Sequence, residues 1–349
     1  MVSFRMFALA CTMCACLALA QTDTSTWKFA VSGDSRNCGD IVMPAIAAAV
    51  RLNKPQFYWH LGDFRAIYTF DEDFRTPANI SDYEARAWPD FIEHQLERFG
   101  KIPVFLGIGN HETIPPATRE SYLIQFADWL DTPVLRDQRL KDNEDDHKLR
   151  TYYHWVNRGI DFINLDNAST EQFTDAQLKW FNELIERDEA STDIRTIVVG
   201  MHEALPGSVA EGHSMGSWAQ GQQSGRLVYE KLWHAQSSAH KRVYILASHW
   251  HIYMEDVYDT PAWKDRVIPG WIVGTAGAQR YAPPAGVGPN QKTRANVYGY
   301  LIATVSADDA IDFSFHEVSQ DDLFRANEGF YPETLVKWCF SQNKQAPAH

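Results

Sequence analysis

Five short apolar runs along the chain each end, within a residue or two, at side chains of types that bind metal ions. This repeated feature constrains the fold most strongly, because open α/β sheets gather their ligands outside the carboxyl ends of the strands. Five coincident strand ends are improbable from random placement, so we expect these side chains to share one metal site. They are Asp34, Asp63, Asn110 with His111, His202, and His249 with His251.

The third of these runs leads into Gly107-Ile108-Gly109-Asn110-His111-Glu112. Its glycines allow the backbone to approach whatever the following side chains hold. Asn110 offers a neutral oxygen, His111 an imidazole, and Glu112 a carboxylate that could orient that imidazole. Taken alone, this stretch is also typical of a capped turn, and it becomes informative only beside the other four strand ends.

Hydrophobic periodicity predicts strands and helices between these motifs. We predict strands at 27–31, 57–61, 104–106, 152–156, 161–165, 196–201, 243–247, 271–274, 297–305 and 311–317. Helices are predicted at about 42–52, 83–99, 118–131, 174–186 and 225–238. The segments 64–80, 136–150 and 204–224 are predicted to be loops. Because no repeat or interdomain linker is visible, we expect one domain over 21–349 with a C-terminal extension at 318–349.

The motifs resemble, in order and spacing over residues 28–317, those of the calcineurin-like metallophosphoesterase family. That family has an Asp motif, Gly-Asp, Gly-Asn-His-Asp/Glu, a lone His after a strand, and Gly-His-x-His. The counterparts here are Asp34-Ser35-Arg36, Gly62-Asp63, Gly109-Asn110-His111-Glu112, His202, and Ser248-His249-Trp250-His251. The resemblance implies an α/β fold, a four-layer αββα sandwich of two mixed sheets flanked by helices.

The resemblance also implies a centre with two metal ions. Asp63 would bridge both ions, and Asp34 and His251 would bind the first. The second ion would take three further ligands, namely Asn110, His202 and His249. Such a mixture of oxygen and nitrogen ligands favours Mn, Fe, Zn or Ni over Mg or Ca.

In the implied reaction a metal-activated hydroxide attacks phosphorus in a small phosphorylated substrate. His111 would bind no ion and would assist the leaving oxygen, oriented by Glu112. Whether the substrate is a phosphomonoester or a phosphodiester stays open, because the pocket walls lie in the predicted loops.

Arg36 stands where the family usually has a histidine, and arginine has no lone pair for a metal. The first ion therefore loses a protein ligand, or takes one from Asn37, Tyr68 or water. Arg36 itself either clamps a pair of phosphate oxygens or forms a salt bridge with a nearby acid. Purple acid phosphatases use a tyrosine three residues after the bridging Asp, but that position is Ala66 here, so their iron–tyrosinate site is not predicted.

Two rival functions remain. The Arg36 substitution is compatible with a degenerate, phosphoesterase-like binding protein that lacks a full metal site. Gly212-His213-Ser214-Met215-Gly216 matches the G-x-S-x-G elbow of serine hydrolases, with Ser214 as nucleophile, but lacks the apolar strand that should precede it. His213 either reaches the active site or lies on a surface loop, and Arg280 either binds substrate or is an exposed loop residue.

The N-terminus predicts export. Residues 1–20 have a positive residue, an apolar stretch and an Ala-x-Ala site, so we expect a signal peptide cleaved after Ala20, a secreted or periplasmic protein, and no stable membrane span afterwards. Cleavage leaves Cys38 and Cys339, which we expect to form a disulfide.

The formal charge of -13 and the lack of basic runs argue against binding to a nucleic-acid backbone. The oligomeric state stays open.

Overall fold

The structure, a computed structural model, describes residues 26–65, 80–168, 172–210, 212–282 and 292–345. The predicted signal peptide, Ala66 and Tyr68 lie outside these residues. In the described part, twelve strands form two mixed sheets. The strands are β1 (Trp27–Ser32), β2 (Tyr58–His60), β3 (Val104–Leu106), β4 (Tyr153–Asn157), β5 (Ile160–Asn164), β6 (Thr196–Gly200), β7 (Arg242–Ala247), β8 (Tyr253–Glu255), β9 (Gly270–Val273), β10 (Thr293–Arg294), β11 (Gly299–Val305) and β12 (Ile311–Glu317).

The two sheets each contain a parallel centre extended by antiparallel strands. The five-stranded sheet has the order β12-β11-β1-β2-β3, in which β1, β2 and β3 are parallel. The seven-stranded sheet has the order β10-β8-β9-β7-β6-β5-β4, in which β5, β6, β7 and β9 are parallel. The parallel strands therefore deliver their carboxyl ends to one edge of each sheet.

Helices cover the outer faces of both sheets. Nine α-helices are described: α1 (Gly39–Asn53), α2 (Ile80–His94), α3 (Arg119–Gln125), α4 (Ala127–Leu130), α5 (Pro133–Asp142), α6 (Asp175–Ala190), α7 (Ala219–Ser237), α8 (Gln320–Asn327) and α9 (Glu333–Ser341). None of them is long and apolar enough to cross a bilayer.

Three apolar cores hold these layers together. The side chains of β1 alternate, so that Phe29 and Val31 lie in the core between the sheets and Ala30 in the core beneath α1. Aromatic rings dominate the core between the sheets, where Phe105 of one sheet stacks on Trp155 of the other at 4.1 Å. The second sheet packs its other face against α6 and α7. The predicted four-layer αββα sandwich is thus confirmed.

Some predicted boundaries are wrong. The expected loop 136–150 begins inside α5, a polar helix that buries little besides Leu135 and Gln138 and so lacks an apolar stripe. The expected helix at 118–131 is divided into α3 and α4, and α7 begins inside the expected loop 204–224. The expected helix at 83–99 ends as α2 at His94 and is followed by a 3₁₀ turn over Leu96–Phe99.

The C-terminal segment belongs to the helical layer over the first sheet. Val318, Leu323 and Val336 lie in the same core as α1. The disulfide predicted between Cys38 and Cys339 is confirmed, and it joins the residue before α1 to α9. This bond ties the end of the chain to the loop that follows β1.

Candidate metal centre

Three of the predicted ligands lie in left-handed turns directly after strands. Asp34, Asp63 and His249 have φ angles of 61°, 58° and 64°, which non-glycine residues rarely adopt. Gly62, with φ of 93°, lies so close to the neighbouring turn that an added Cβ would be 2.5 Å from the backbone nitrogen of Gly109. Such conformations concentrate at functional sites, where the surrounding structure enforces them.

These turns bring the predicted ligands together at the carboxyl ends of the strands. Two groups of three side chains share Asp63, and within each group the ligand atoms lie within 4.8 Å of one another. One group is Asp63, His202 and His249, and the other is Asp34, Asp63 and His251. Asn110 joins the first group, since its Oδ1 lies 2.9 Å from Nε2 of His202.

The donor atoms of this cluster fit a cation. Oδ1 of Asp34 is buried without a hydrogen-bond partner among the described residues, and it lies 3.4 Å from Nε2 of His251. Nε2 of His202 lies 3.3 Å from Oδ1 of Asp63 and 3.1 Å from Nδ1 of His249. Buried carboxylate oxygens and imidazole nitrogens that converge without enough protons to bridge them are the donor set of transition-metal sites.

Backbone carbonyls orient two of the imidazoles. Nδ1 of His251 lies 2.8 Å from the carbonyl oxygen of Gln279, and Nδ1 of His202 lies 3.0 Å from that of Leu61. Because a carbonyl only accepts hydrogen bonds, each Nδ1 donates, and Nε2 faces the centre. Metal-binding histidines are commonly held in this way.

Electrostatics sets the protonation of the centre. Burial alone would raise the pKa of Asp63, but the neighbouring imidazoles of His111 and His202 hold it well below its usual range. Burial works against the charged form of His202, yet the charge of Asp63 raises the pKa of His202 to about 10. The metal-free cluster therefore holds protons at positions that a cation would take.

His111 lies beside these ligands as an uncharged imidazole. Burial lowers its pKa to about 3, and the charge of Arg36 acts in the same direction. Nε2 of His111 lies 3.6 Å from Oδ2 of Asp63, and its backbone N–H donates to Oδ1 of Asp63 at 3.0 Å. Nη1 of Arg36 contacts the ring of His111, at 3.2 Å from Nδ1. Arg36 thus lies at the centre, against an imidazole.

Glu112 does not act as expected. The carboxylate was expected to orient His111, but it faces the backbone of two turns instead, accepting N–H groups of Asp63 at 2.8 Å, Phe64 at 2.9 Å and Gly109 at 2.7 Å. Burial, reinforced by the charge of Asp63, raises the pKa of Glu112 to about 8. The residue therefore holds together the turns that carry the ligands.

Of the remaining candidates from the sequence, one reaches the site and two contact the protein backbone instead. Oδ1 of Asn37 accepts the backbone N–H of Gln279 at 3.0 Å, so this side chain faces the backbone. His213 reaches the centre, where its ring stacks on Trp250 at 5.5 Å and lies 5.7 Å from that of His249. Arg280 is buried and not an exposed loop residue, and its guanidinium donates to backbone carbonyl oxygens, among them that of Asn296 at 3.0 Å.

Ser214 is not placed as a nucleophile. It lies on a loop, where it forms an isolated β-bridge with Ala204, and its Oγ accepts the N–H of Gly216 at 3.3 Å. The strand that a nucleophile elbow needs directly before the serine is absent from the described residues there. The serine hydrolase hypothesis therefore lacks its structural condition.

Two residues at the site were missed. The ring of Tyr281 lies 4.3 Å from that of His251. Glu203, directly after His202, is buried, and burial raises its pKa to about 8, with Asp63 acting in the same direction and His202 against it. Glu203 follows a predicted ligand, which was the available signal, whereas nothing in the sequence around Tyr281 indicates its position.

Among the solved structures that match, three illustrate the shared fold. The purple acid phosphatase from yellow lupin (Lupinus luteus) seeds is 13% identical with a TM-score of 0.53, and the match covers 87% of this chain but 56% of the lupin chain. PhoD is 13% identical with a TM-score of 0.54, covering 84% and 72%. GAP50, the anchor in the inner membrane complex of Plasmodium, is 12% identical with a TM-score of 0.50, covering 90% and 94%.

This chain thus spans just over half the length of the lupin phosphatase. At such low identities the three likenesses concern the fold alone. No curated protein matches the sequence significantly. The sequence model of the calcineurin-like phosphoesterases, in contrast, matches residues 28–253, which is more than half of the chain and includes every motif from Asp34 to His251. The chain therefore belongs to the calcineurin-like phosphoesterase family.

Proposed function

We propose that the protein is an exported, metal-dependent phosphoric ester hydrolase with a two-metal centre, acting on phosphomonoesters or phosphodiesters. The observation that carries this proposal is the pair of three-residue groups that share Asp63, together with the buried oxygen of Asp34 that has no hydrogen-bond partner among the described residues. Asp34 and His251 would hold the first ion, with Asp63 as the bridge. The second would be held by Asp63 and by Asn110, His202 and His249.

Bound cations would supply Lewis acidity toward phosphate oxygens and toward a water molecule. The protein's own groups would position the substrate. The uncharged imidazole of His111 lies beside Asp63, where it can hydrogen-bond an oxygen of the ester and assist the leaving alcohol. The guanidinium of Arg36, held against His111, would pair with phosphate oxygens.

His213 extends the site on the side of His249. Its position against Trp250 supports a role in contacting the substrate. Glu112 would act as a positioning residue, because its carboxylate fixes the turns of Asp63 and Gly109.

Metal content and turnover test the proposal together. We expect about two Mn, Fe, Zn or Ni ions per chain by elemental analysis, and hydrolysis of p-nitrophenyl phosphate or its bis ester that stops on chelation and returns with added metal. Chains that hold one ion or none and hydrolyse neither ester would favour the degenerate binding protein instead. Activity that survives chelation and is lost in Ser214→Ala would favour the serine hydrolase.

Export is a separate part of the proposal. The disulfide between Cys38 and Cys339 supports it, because such bonds persist mainly in oxidising compartments. N-terminal sequencing of the mature protein from fractionated cells should give a chain that begins at Gln21 outside the cytoplasm. A cytoplasmic chain that keeps residues 1–20 would contradict this part alone.

A further inference from the structure

The segment that follows β9, residues 274–281, contacts two proposed ligands of the first ion. It runs beside the turn of Asp34, whose carbonyl oxygen accepts a backbone N–H of the segment at 2.8 Å. The N–H of Tyr281 donates to the carbonyl oxygen of His251 at 3.2 Å, and the carbonyl oxygen of Gln279 lies 2.8 Å from Nδ1 of the same histidine. The position of the segment therefore sets how the imidazole of His251 faces the first ion.

Arg280 joins this segment to the C-terminal end of the chain. Only 4% of the residue is exposed. Its guanidinium donates to three backbone carbonyl oxygens, those of Phe340, of Asn343 at 3.3 Å and of Asn296 at 3.0 Å. Phe340 is in the last turn of α9, where carbonyl groups lack partners within the helix and carry the negative end of its dipole. The end of α9 therefore stabilises the buried positive charge of Arg280.

The end of α9 is itself attached to the residues that precede α1. Cys339 forms the disulfide with Cys38. The side chain of Asn343 donates to the carbonyl oxygen of Gly277 at 2.9 Å, and the same carbonyl oxygen accepts the N–H of Cys38 at 3.1 Å. Arg280 thus ties its segment to a part of the chain that is covalently fixed and that includes none of the predicted metal ligands.

A planar guanidinium that donates to several carbonyl groups at once fixes the backbone segments that it connects. On the basis of the proposed two-metal phosphoesterase function, we propose that Arg280 is a positioning residue for the first ion. It holds the carbonyl oxygen of Gln279 against Nδ1 of His251, so that Nε2 of this histidine stays directed at the ion. The effect is selective, because the proposed ligands of the second ion, apart from the bridging Asp63, come from other turns.

Removal of the guanidinium should weaken the first ion and spare the second. Arg280→Met keeps an apolar stem but has no donors, so the carbonyl oxygen of Gln279 loses its fixed position. Titration of the metal-free, full-length protein with Co²⁺ against a competing chelator measures the affinity for each ion. We expect the affinity for the first ion to fall about tenfold, as for other groups that orient a metal-binding histidine. The affinity for the second ion should stay within about twofold of the wild-type value.

Reference variants assign the two affinities and control for the loss of a buried cation. His251→Ala should weaken the first ion, and His249→Ala the second. Lys241→Met is the matched control, because the buried ammonium of Lys241 also donates to two carbonyl oxygens, those of Ser191 at 2.6 Å and Ile194 at 2.7 Å. It precedes β7, at the opposite end of this strand from the metal centre. Lys241→Met should keep both affinities.

The imidazole proton of His251 gives a second readout, which a merely structural role of Arg280 would not change. In the Co²⁺ protein the N–H protons of metal-bound histidines give paramagnetically shifted NMR signals, and His251→Ala identifies the signal of His251. Its hydrogen bond to Gln279 protects this proton, so it should exchange with solvent at least about tenfold faster in Arg280→Met. The corresponding proton of His202, which faces the carbonyl oxygen of Leu61, should exchange as in the wild type.

Arg280→Lys keeps the charge but lacks the planar fork, so it should weaken the first ion less than Arg280→Met does. This variant carries the test if Arg280→Met does not fold. Equal weakening of both ions, or wild-type affinity for the first, would overturn the assignment and leave the proposed phosphoesterase function intact. A wild type that binds fewer than two ions and hydrolyses neither p-nitrophenyl ester would instead contradict the proposed function and this inference with it.

Discussion

Two buried clusters of histidine and aspartate lie in this fold, and they differ in how the imidazoles are hydrogen-bonded. In the edge cluster, which we define as His154, Asp142 and Asp161, both ring nitrogens of His154 face carboxylates, with Nδ1 2.9 Å from Oδ1 of Asp161. In the metal centre, His251 donates one N–H to a carbonyl oxygen, and its other ring nitrogen lies 3.4 Å from Oδ1 of Asp34.

The edge cluster is an ion pair that uses both nitrogens of its histidine, whereas the metal centre is a set of ligands in which imidazole nitrogens can bind a cation. We call the second arrangement an open ligand set. Because carboxylates only accept, both nitrogens of His154 carry protons, and no lone pair is left for a metal. Burial works against this charge, but Asp161 and Asp142 raise the pKa of His154 to about 10. Histidine and aspartate therefore stabilise the fold in the edge cluster, whereas in the metal centre they are arranged to bind a cation. Residue identity alone does not distinguish the two, but the partner of the second nitrogen does.

The largest expected effect comes from the bridging position of the metal centre. Asp63→Asn removes the charge shared by both ligand groups, so we expect the metal content to fall and kcat/KM to drop about 10³-fold or more. The free energy of unfolding of the metal-free protein should also fall, because the variant leaves the buried imidazolium of His202 without the carboxylate that stabilises it. Elemental analysis, phosphatase assays and urea unfolding measure the three quantities. Wild-type turnover in this variant would contradict the proposed mechanism.

A change in the edge cluster should lower stability without any loss of metal. His154→Gln leaves two carboxylates without their buried partner, so we expect the free energy of unfolding to fall by about 3 kcal/mol, while metal content is unchanged. Urea unfolding and elemental analysis measure both. His234→Gln is the matched control, since this exposed histidine also pairs with a carboxylate, Glu189, and should change stability by less than about 0.5 kcal/mol. Loss of metal in His154→Gln would remove the distinction between the clusters.

The pH dependence of stability should show that His154 is charged in the folded protein. The pKa of folded His154 is about 10 against an ordinary 6.5, so the ion pair contributes fully below pH 6.5 and is lost as the pH rises through 10. Asp188 acts in the same direction, because burial and the charge of Asp161 raise its pKa to about 9. The difference in unfolding free energy between wild type and His154→Gln, measured from pH 6 to pH 10, should therefore shrink as the pH rises. A difference that is constant or grows would contradict the assigned charge state.

The strand-end pattern was sufficient to predict that these side chains come together, and the physical reason is topological. Parallel strands deliver the residues that follow them to one edge, so Asp34, Asp63 and His202 could be placed together without knowledge of the packing. The edge cluster had no such signal. Its members come from a polar helix, α5, and from two strands of a hairpin, and which carboxylates meet His154 depends on packing.

The contact between Arg36 and His111 could also not be predicted from the sequence. Arg36 was expected to meet either phosphate or an acid, but it lies against an imidazole, which has no charge at neutral pH. Likewise, the spacing of Glu112 next to His111 favoured a contact between the two, whereas its carboxylate meets backbone N–H groups. A carboxylate can satisfy several amides of two adjacent turns at once, and only the approach of those turns shows that they are available.

The smallest expected effect concerns Arg36, which stands at the position where the family usually has a histidine in its first motif. Arg36→His restores the imidazole that the family usually has two residues after the aspartate of the first motif, so the first ion should be retained about tenfold more tightly against a chelator. Arg36→Gln is the control, because it removes the same charge without adding a nitrogen ligand. Metal titration against a competing chelator measures both variants.

If Arg36 holds phosphate oxygens, the two variants should share a raised KM while only Arg36→His gains metal affinity. Loss of the guanidinium should also raise the pKa of His111 in both, since the charge of Arg36 helps to lower it. Equal metal affinity in the two variants would mean that residue 36 does not face the first ion, and that the site is closed by a group from another part of the chain. A gain confined to the histidine variant would mean that the native chain gives up a metal ligand at this corner in exchange for a fixed positive charge beside the phosphate.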